Sequence, residues 1–425
     1  MSWLVYNLIG LVFRLGIKPF FDLQIDGMEH YSESPSSLIV ANHKRDLDSV
    51  LIASVFYYHE GFLNPSTPVS FMGDENLFQP GFLADWIKGP KLLKKALQPL
   101  SLNHVLQWLN AYPIGKLNFH SVPVHEALRI IQEKDDDPEL REVIEEKALE
   151  RLLGDTSFGS PYMKISEFFE KEGYPRKKIK SSYFKSEFRK AVKQTKLGAV
   201  KEQLGKFIEL LNQGAILYIT PEGRLSQDGM LGQLKDSLLI LIDEAETEVV
   251  VVPTNITYDF LTDGKTRIFV QAGEEMKGLD QLDRKEKSKK LRRRILGLTT
   301  INLGQLASYH LVEAQETGRM KVGEKELRSQ VNDYLELFNA SAFNVDESLS
   351  EPEGVEERWE SFVNYCRKRG VFAVEEDRGE EGRIFELDSD LGYDRDTAPR
   401  GYRRDPVKYC ANELKGLEKV GLIEL

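Results

Sequence analysis

The chain has 425 residues, which is more than one hydrophobic core usually holds and predicts two domains or one domain with large additions. Its 57 Lys and Arg residues against 68 Asp and Glu residues give a net charge of −11, which argues against general nucleic-acid binding. The two cysteines, Cys366 and Cys410, have no metal-type spacing and indicate an intracellular protein in a reducing compartment, without structural disulfides.

A short apolar run near the start of the chain, at residues 3–13, predicts a helix. The run is shorter than the ~20 apolar residues of a bilayer-spanning helix, and it has neither the basic start nor the cleavage site of a signal peptide. Two interpretations stay open. The helix packs on the core, or it lies in a membrane surface with Trp3, Tyr6 and Phe13 at the depth of the lipid headgroups.

Predicted strands and helices alternate over residues 20–275, which is typical of the α/β class. The expected strands are at residues 21–26, 38–41, 68–72, 111–116, 215–220, 248–257 and 267–272. The expected helices between them are at residues 48–58, 200–212 and 234–243. Four consecutive valines in the strand at 248–257 favour a buried, parallel and central position. We therefore expect a mixed, largely parallel sheet flanked by helices.

Residues 126–196 interrupt this pattern with charge-dense sequence, and we interpret them as a helical, largely solvated insertion. Nine basic residues lie between positions 176 and 196. A charge run of this kind is usually a solvated helix face, and the alternative is a surface that meets lipid headgroups or a phosphorylated cofactor.

The strand signals fade after residue 280. A long helix that opens with a basic run is expected at 284–316, and two further helices at 323–343 and 352–369. A hairpin is then expected at 371–387, so residues 324–390 are reminiscent of a winged helix, although this region is acidic and lacks a basic reading face.

The predicted organisation thus has three parts. They are an N-terminal helix at 1–20, an α/β domain at 21–280 that carries the insertion, and a mainly helical C-terminal region at 281–425.

The leading pair of polar residues is His43 and Asp48, which directly follow a predicted buried strand. Residues five apart lie ~140° apart around a helix, so the two side chains meet only if His43 is in a turn and Asp48 opens the next helix. Asn42 or Asp46 would then cap that helix. A neutral imidazole backed by a carboxylate is a good general base, but a lone His–Asp pair is also typical of a structural histidine.

A second candidate is the turn Pro221-Glu222-Gly223-Arg224 at a strand end. Gly223 allows close approach of the backbone to a ligand, Arg224 offers a fork for phosphate, and Glu222 is suited to hydrogen-bonding a polyol. An ordinary turn with exposed charges is the alternative. Lys116, at a predicted strand tip, is a third cation. The sequence shows no metal-ligand spacing, no P-loop and no dinucleotide fingerprint.

These motifs, in this order, resemble those of the glycerolipid acyltransferase family, which includes glycerol-3-phosphate and lysophosphatidate acyltransferases. The motifs that carry the resemblance are Asn42-His43-x4-Asp48, Pro221-Glu222-Gly223 and Val252-Pro253-Thr254. The resemblance covers roughly residues 1–275 without the insertion. It departs from the family pattern in three ways. The family's arginine is one position early, at Arg224, or absent, and Lys116 stands where an arginine is usual. The insertion and the C-terminal part also make the chain longer than the compact lysophosphatidate enzymes, and this greater length looks more like the glycerol-3-phosphate branch.

The resemblance implies a role for each site residue. His43 would be the general base and Asp48 its support, Glu222 and Gly223 would bind the glycerol end, and Arg224 and Lys116 would bind phosphate. Val252 and Pro253 would line the acyl or substrate channel.

The resemblance also implies the substrates and the location. A fatty acyl group would pass from acyl-CoA or acyl carrier protein to glycerol-3-phosphate or lysophosphatidate, with no bound cofactor and no metal. The protein would act peripherally on the cytoplasmic side of a membrane, with the N-terminal helix and the basic runs at 176–196 and 284–294 docked on anionic lipid. A degenerate lipid-binding or scaffold module of the same fold is the alternative.

Overall fold

A computed structural model of the chain describes residues 2–78, 82, 90, 93, 97, 101–115, 121–134, 137–153, 160–170, 178–376, 382–387 and 405–425. The chain divides into two compact units. The first unit contains Met1–Met72, His104–Tyr112 and Ile208–Leu425, and the second contains Gly73–Asn103 and Pro113–Phe207.

The central element is a seven-stranded sheet with the order β1-β9-β8-β2-β7-β3-β4. Its strands are β1 (Phe21–Asp26), β2 (Ser37–Ala41), β3 (Ser70–Asp74), β4 (Ala111–Ile114), β7 (Leu217–Ile219), β8 (Val250–Asp259) and β9 (Thr266–Ala272). The pairs β1–β9, β8–β2, β2–β7 and β7–β3 are parallel, and β8–β9 is antiparallel. The predicted mixed, largely parallel α/β sheet flanked by helices is therefore confirmed.

The α-helices of the described residues are α1 (Ser2–Ile17), α2 (Asp48–Tyr57), α3 (Asn103–Trp108), α4 (Val124–Gln132), α5 (Leu140–Val143), α6 (Glu146–Leu153), α7 (Ile165–Glu170), α8 (Ser186–Asn212), α9 (Asp236–Glu244), α10 (Arg284–Gly297), α11 (Leu303–Glu316), α12 (Glu324–Asn339), α13 (Pro352–Arg369) and α14 (Pro406–Lys419). The smaller strands are β5 (Ser121–Pro123), β6 (Lys178–Lys180), β10 (Thr300–Ile301), β11 (Lys321–Gly323), β12 (Asn344–Val345), β13 (Ala373–Glu376) and β14 (Arg383–Glu386).

Strand β8 lies inside the sheet, and all of its residues are buried. It contains the valine run. A continuous run of apolar side chains is suited to a strand whose two faces are both covered. Its register with β2 pairs Ala41 with Thr254, so β8 continues past the end of β2 toward the turn that follows. The expectation of parallel neighbours holds on the β2 side, whereas β9 runs antiparallel.

The single long helix expected at 284–316 is wrong, since α10 ends at Gly297 and α11 starts at Leu303. Asn302 caps the second helix in a capping box: its side chain accepts a hydrogen bond from Gln305 N, and the Gln305 side chain accepts one from Asn302 N, at 3.1 and 3.0 Å. This reciprocal pair fixes a new helix start, and the residues before it form β10.

In the basic run of α10, half of the eight basic side chains at 284–294 are hydrogen-bonded within the protein. Lys287 is buried and forms an ion pair with Asp243, and Arg292 donates to the carbonyl oxygen of Gly232 at 2.9 Å. Arg293 and Arg294 bond the carbonyl oxygen of Val420 and the carboxylate of Glu274. These four side chains are engaged by protein groups. The other four are exposed, namely Arg284, Lys285, Lys289 and Lys290. The docking of this run on lipid stays a prediction.

Helices α11, α12 and α13 accompany a three-stranded antiparallel sheet with the order β11-β14-β13. A buried indole anchors this part, because Trp359 donates to Glu324 at 2.7 Å while Arg383 and Arg328 contact the same carboxylate. The hairpin tip at 377–381 and residues 388–404 lie outside the described residues, and the winged-helix interpretation of 324–390 stays a prediction.

The second unit has a hydrophobic core of its own, so the solvated insertion expected at 126–196 is in large part a packed structure. Buried side chains of this core include Val122, Leu128, Ile131, Leu140, Ile144, Phe168 and Phe184. Strands β5 and β6 pair antiparallel, and Lys196 of the basic run forms an ion pair with Glu126 at 2.9 Å.

Helix α1 packs on α2 through one face. The hydroxyl of Tyr6 donates to the carbonyl oxygen of Val69 at 3.0 Å, and its ring contacts Tyr57 edge-on. Tyr6 is therefore buried, in contrast to the interfacial position considered from the sequence. The opposite face exposes Leu8, Leu11, Val12 and Leu15. Within the described residues, no helix combines the length and the apolar character needed to cross a membrane.

Candidate active site

His43 and Asp48 meet at the corner between β2 and α2. Strand β2 ends at Ala41, His43 lies in the turn, and Asp48 is the first residue of α2. The distance from His43 Nδ1 to Asp48 Oδ2 is 3.1 Å. The strand–turn–helix geometry that the spacing requires is thus present.

The Asp48 carboxylate is fully buried and accepts hydrogen bonds on both oxygens. Oδ2 accepts from the backbone N–H groups of Lys44 and Arg45 at 2.6 and 2.8 Å, in addition to its contact with His43. Oδ1 accepts from the hydroxyl of Tyr258, which lies on β8. A buried carboxylate with several donors holds a single orientation, because each lost bond would leave a desolvated charge.

This carboxylate determines the tautomer of the imidazole. Nδ1 of His43 donates its proton to Asp48, so Nε2 carries the lone pair. No residue in the described part of the chain hydrogen-bonds Nε2, and the His43 side chain is 16% exposed. The arrangement can take a proton from a bound molecule.

Tyr258 keeps its proton in this environment. Burial raises the pKa of Tyr258 well above its ordinary value, and the negative charge of Asp48 raises it further. The hydroxyl is therefore a permanent donor to the carboxylate. Sequence reasoning missed this residue. The signal that could have found it is its position near the end of β8, a strand that runs past the end of β2.

Asn42 fixes the turn by a different route from the one expected. Its side-chain oxygen accepts from Ile256 N at 2.7 Å, and its side-chain nitrogen donates to the carbonyl oxygen of Ile256 at 3.0 Å. The amide thereby continues the β2–β8 ladder by one step. Neither Asn42 nor Asp46 caps α2, because its N-cap is Leu47 and has no side-chain cap; that prediction is wrong.

The Pro221-to-Arg224 turn lies against the His43 turn. The backbone N–H of Ser226 donates to the carbonyl oxygen of His43 at 2.7 Å. Glu222 is 3% exposed, and its Oε2 accepts from Gly232 N at 2.8 Å. Burial raises the pKa of Glu222, while backbone N–H groups of Gly232 and His43 lower it. Glu222 thus stabilises the loop beside the base.

Within the described residues, the other predicted site residues form no hydrogen bond or ion pair with His43 or Asp48. Gly223 has a φ of +61° at the tip of the turn, a conformation that favours glycine, and Arg224 is exposed. Val252 and Pro253 are buried within β8, where they pair with β2. Lys116 lies outside the described residues, which stop at Gly115 in this part of the chain. The ligand-binding roles of these residues stay predictions.

No family model matches the chain. No curated protein matches it either. Among solved structures, the chain is similar to the 1-acyl-sn-glycerophosphate (LPA) acyltransferase PlsC from Thermotoga maritima, with 14% identity and coverage of 69% of this chain and 78% of that chain. The TM-score is 0.36, and a likeness at this level carries no conclusion about fold or function. The proposal below therefore depends on the residues of the site.

A buried ion pair connects the His43 turn to the C-terminal helix. The ammonium group of Lys44 lies 2.7 Å from Oε1 of Glu413 on α14, and the two side chains are 5% and 3% exposed. Gln305 donates to the other oxygen of Glu413. Helix α14 also contacts the loop that follows the Pro221-to-Arg224 turn, because Asn412 donates to the carbonyl oxygen of Asp228 at 2.8 Å. The spacing of about 370 residues gave no sequence signal for this contact.

On the other side of the turn, the guanidinium of Arg45 contacts a cluster of three aromatic rings. Its guanidinium carbon is 5.0 Å from the ring centres of Tyr258 and Phe260 and 5.8 Å from that of Phe21. Cation–π contacts of this kind hold the backbone of Arg45, whose N–H bonds Asp48.

The described residues contain no cluster of three or more His, Cys, Asp or Glu side chains that could hold a metal ion.

Proposed function

We propose that the chain is an O-acyltransferase that moves a fatty acyl group from a thioester carrier to a hydroxyl of glycerol-3-phosphate or lysophosphatidate. The observation that carries the proposal is the buried Asp48 carboxylate, which accepts from Tyr258 and two backbone N–H groups and presents His43 with a free Nε2. The order of the motifs in the sequence is the reason for proposing acyl transfer as the reaction.

The reaction needs one base and no enzyme nucleophile. His43 Nε2 takes the proton of the acceptor hydroxyl as its oxygen attacks the thioester carbonyl carbon. Asp48 stabilises the imidazolium that forms. The tetrahedral intermediate then loses the thiolate as the carbon–sulfur bond breaks, and the imidazolium returns the proton to the thiolate. The products are an ester and a free thiol, with acyl-CoA or acyl carrier protein as the carrier.

A thiol-release assay tests the proposal. The purified chain is given acyl-CoA or acyl carrier protein with glycerol-3-phosphate, lysophosphatidate or water as acceptor, and free thiol is measured. His43→Ala should lower the rate by at least about 10³-fold, because proton transfer and positioning are both lost. His30→Ala, at an exposed histidine, is the matched control and should keep the rate. Full activity of a folded His43→Ala protein would overturn the mechanism.

A binding module without catalysis is the second candidate, and the altered third motif, in which Arg224 is one position early, favours it. In that case the protein would bind acyl thioester or lysolipid while releasing no thiol with any acceptor. The same assay, combined with a binding measurement, therefore separates the two functions.

The proposed location is the cytoplasmic surface of a membrane, with the protein bound peripherally to anionic lipid. The exposed leucine and valine face of α1 supports this location. Exposed apolar area is added by Phe20, which follows α1, and by Phe62, whose ring centre is 5.7 Å from the guanidinium of Arg14 on α1. The basic run of α10 adds exposed cationic side chains, those of Arg284, Lys285, Lys289 and Lys290. Other side chains of this run are bound to protein groups, namely Lys287, Arg292 and Arg293.

A further inference from the structure

A cleft of about 620 Å³ lies at the edge of the sheet where β8 ends and β1 and β9 begin. It is lined by side chains of α1, the starts of β1 and β9, and α13. Phe21, which lines the cleft, is in cation–π contact with Arg45, and Arg45 also lies over Tyr258. The cleft therefore adjoins the group that holds Asp48, without containing His43 itself.

The lining of this cleft is strongly basic. Its five cationic side chains are Arg14, Lys18, Lys265, Arg267 and Arg358, and its two carboxylates are Asp22 and Asp263. Clefts lined by one sign of charge concentrate ligands of the opposite sign.

The positive excess persists when neighbouring residues are included. Asp346 neutralises Arg267, which is buried and bonded to it through both terminal nitrogens. In turn, Lys368 neutralises Asp263 at 2.6 Å. Glu357 contacts Arg358, but its side chain is 72% exposed. Arg14, Lys18 and Lys265 form no ion pair within the described residues, so these are the cations that remain for a ligand.

Two of the lining arginines have buried nitrogen atoms with no hydrogen bond within the described residues, namely Nη1 of Arg14 and Nε of Arg358. Burial lowers the pKa of Arg14, which is the direction expected for a guanidinium without an anionic partner. The two guanidinium groups are thus incompletely paired within the described part of the chain, and a buried donor that lacks an acceptor is destabilising.

We propose that this cleft binds a phosphate ester. Arginine forks with lysine point charges are the side chains that recognise phosphate, and the volume accommodates more than one phosphate group. The identity of the molecule that carries this phosphate rests on the proposed function. It is either the acceptor, through its own phosphate, or the acyl-CoA donor, through its nucleotide phosphates. Both sources present the same chemistry to the cleft.

The test is a calorimetric titration of the full chain with coenzyme A, glycerol-3-phosphate and inorganic phosphate at constant ionic strength. The variant is Lys18→Glu combined with Lys265→Glu, because both lysines are exposed in the cleft lining. The matched control is Lys277→Glu combined with Lys419→Glu, which makes the same change in net charge at exposed lysines outside the lining.

At least one of the two phosphate esters should bind the wild-type chain and lose tenfold or more in affinity in the cleft variant, with the control within twofold of wild type. A loss confined to coenzyme A assigns the cleft to the donor, and a loss confined to glycerol-3-phosphate assigns it to the acceptor. Equal affinity in wild type and cleft variant, an equal loss in the control, or no binding to the wild type would overturn the proposal.

Binding in this experiment does not depend on turnover, so it remains informative if acyl transfer fails. His43→Ala should bind the phosphate ester as the wild type does, because His43 does not line the cleft. An inactive chain that binds phosphate ester through Lys18 and Lys265 would refute the reaction and keep the site.

Discussion

The hydroxyl of Tyr258 donates a hydrogen bond to Oδ1 of Asp48, so the two oxygens of this carboxylate have different partners. Oδ2 serves His43 and two backbone N–H groups of the turn, and Oδ1 is held by β8. Strand β8 therefore belongs to the candidate site through its end, at Tyr258, and not only through the buried Val-Pro pair in its middle.

Tyr258→Phe should lower kcat about tenfold and leave KM nearly unchanged, because Asp48 loses a donor that helps to orient His43. A hydrogen bond to a charged acceptor contributes about 1.5–3 kcal/mol, so the free energy of unfolding should also fall. Tyr309→Phe is the matched control, since Tyr309 donates to Glu418 at 3.0 Å in the C-terminal part. The control should lose stability and keep kcat; an equal loss of kcat in both would contradict a role for Tyr258 in the site.

Asp48→Asn should damage activity far more than Asp46→Asn. An amide at position 48 has one oxygen for four donors and turns an N–H toward groups that themselves donate, so the imidazole loses both its orientation and its electrostatic support. We expect a loss on the order of 10³-fold or more in kcat for Asp48→Asn. Asp46 is exposed, and its variant should stay within about twofold of wild type. Equal effects in the thiol-release assay would show that the pairing is wrong.

Glu413→Ala tests the link between the C-terminal helix and the base. The substitution leaves the buried Lys44 ammonium without its partner, and such a loss costs about 3–5 kcal/mol. Lys44 also bonds Asp48 through its backbone at 2.6 Å, so a shift of Lys44 should lower kcat.

The double variant Lys44→Met with Glu413→Leu is the informative comparison for this link. It removes both charges together, and it should recover most of the stability that Glu413→Ala loses. Urea unfolding measures the recovery. A double variant as unstable as the single one would show that packing, and not the ion pair, connects α14 to the turn.

Local features of the site could be predicted from the sequence, and long-range ones could not. The corner of β2 and α2 follows from a spacing of five residues and from the apolar run before it. The contacts of Asp48 with Tyr258 and of Lys44 with Glu413 join positions 210 and 369 residues apart, and no periodicity encodes such pairs. The break between α10 and α11 was missed because a capping box outweighed continuous helical propensity.

The exposed face of α1 predicts binding to anionic vesicles. Leu8→Gln combined with Leu15→Gln should weaken binding by about 2 kcal/mol, roughly 30-fold, because two largely exposed leucines no longer enter the apolar layer. Leu337→Gln changes a similarly exposed leucine on α12 and is the control. Flotation at low salt measures the bound fraction. Binding that is unaffected in the α1 variant would assign the interaction to another surface.

Asp259 should make the stability of the chain depend on pH. Its carboxyl is buried near Asp346, Arg267 and Arg358, and burial raises its pKa to about 6. The folded state therefore holds this proton more tightly than the unfolded state, so the stabilisation is present at low pH and is lost as the pH rises through about 6. Between pH 5 and pH 7.5 the wild type should lose about 1.4 kcal/mol relative to Asp259→Asn, which has no proton to release. Urea unfolding at both pH values checks this difference, with the exposed Asp46→Asn as control. Parallel pH dependence in the wild type and Asp259→Asn would show that Asp259 titrates alike in the folded and unfolded states.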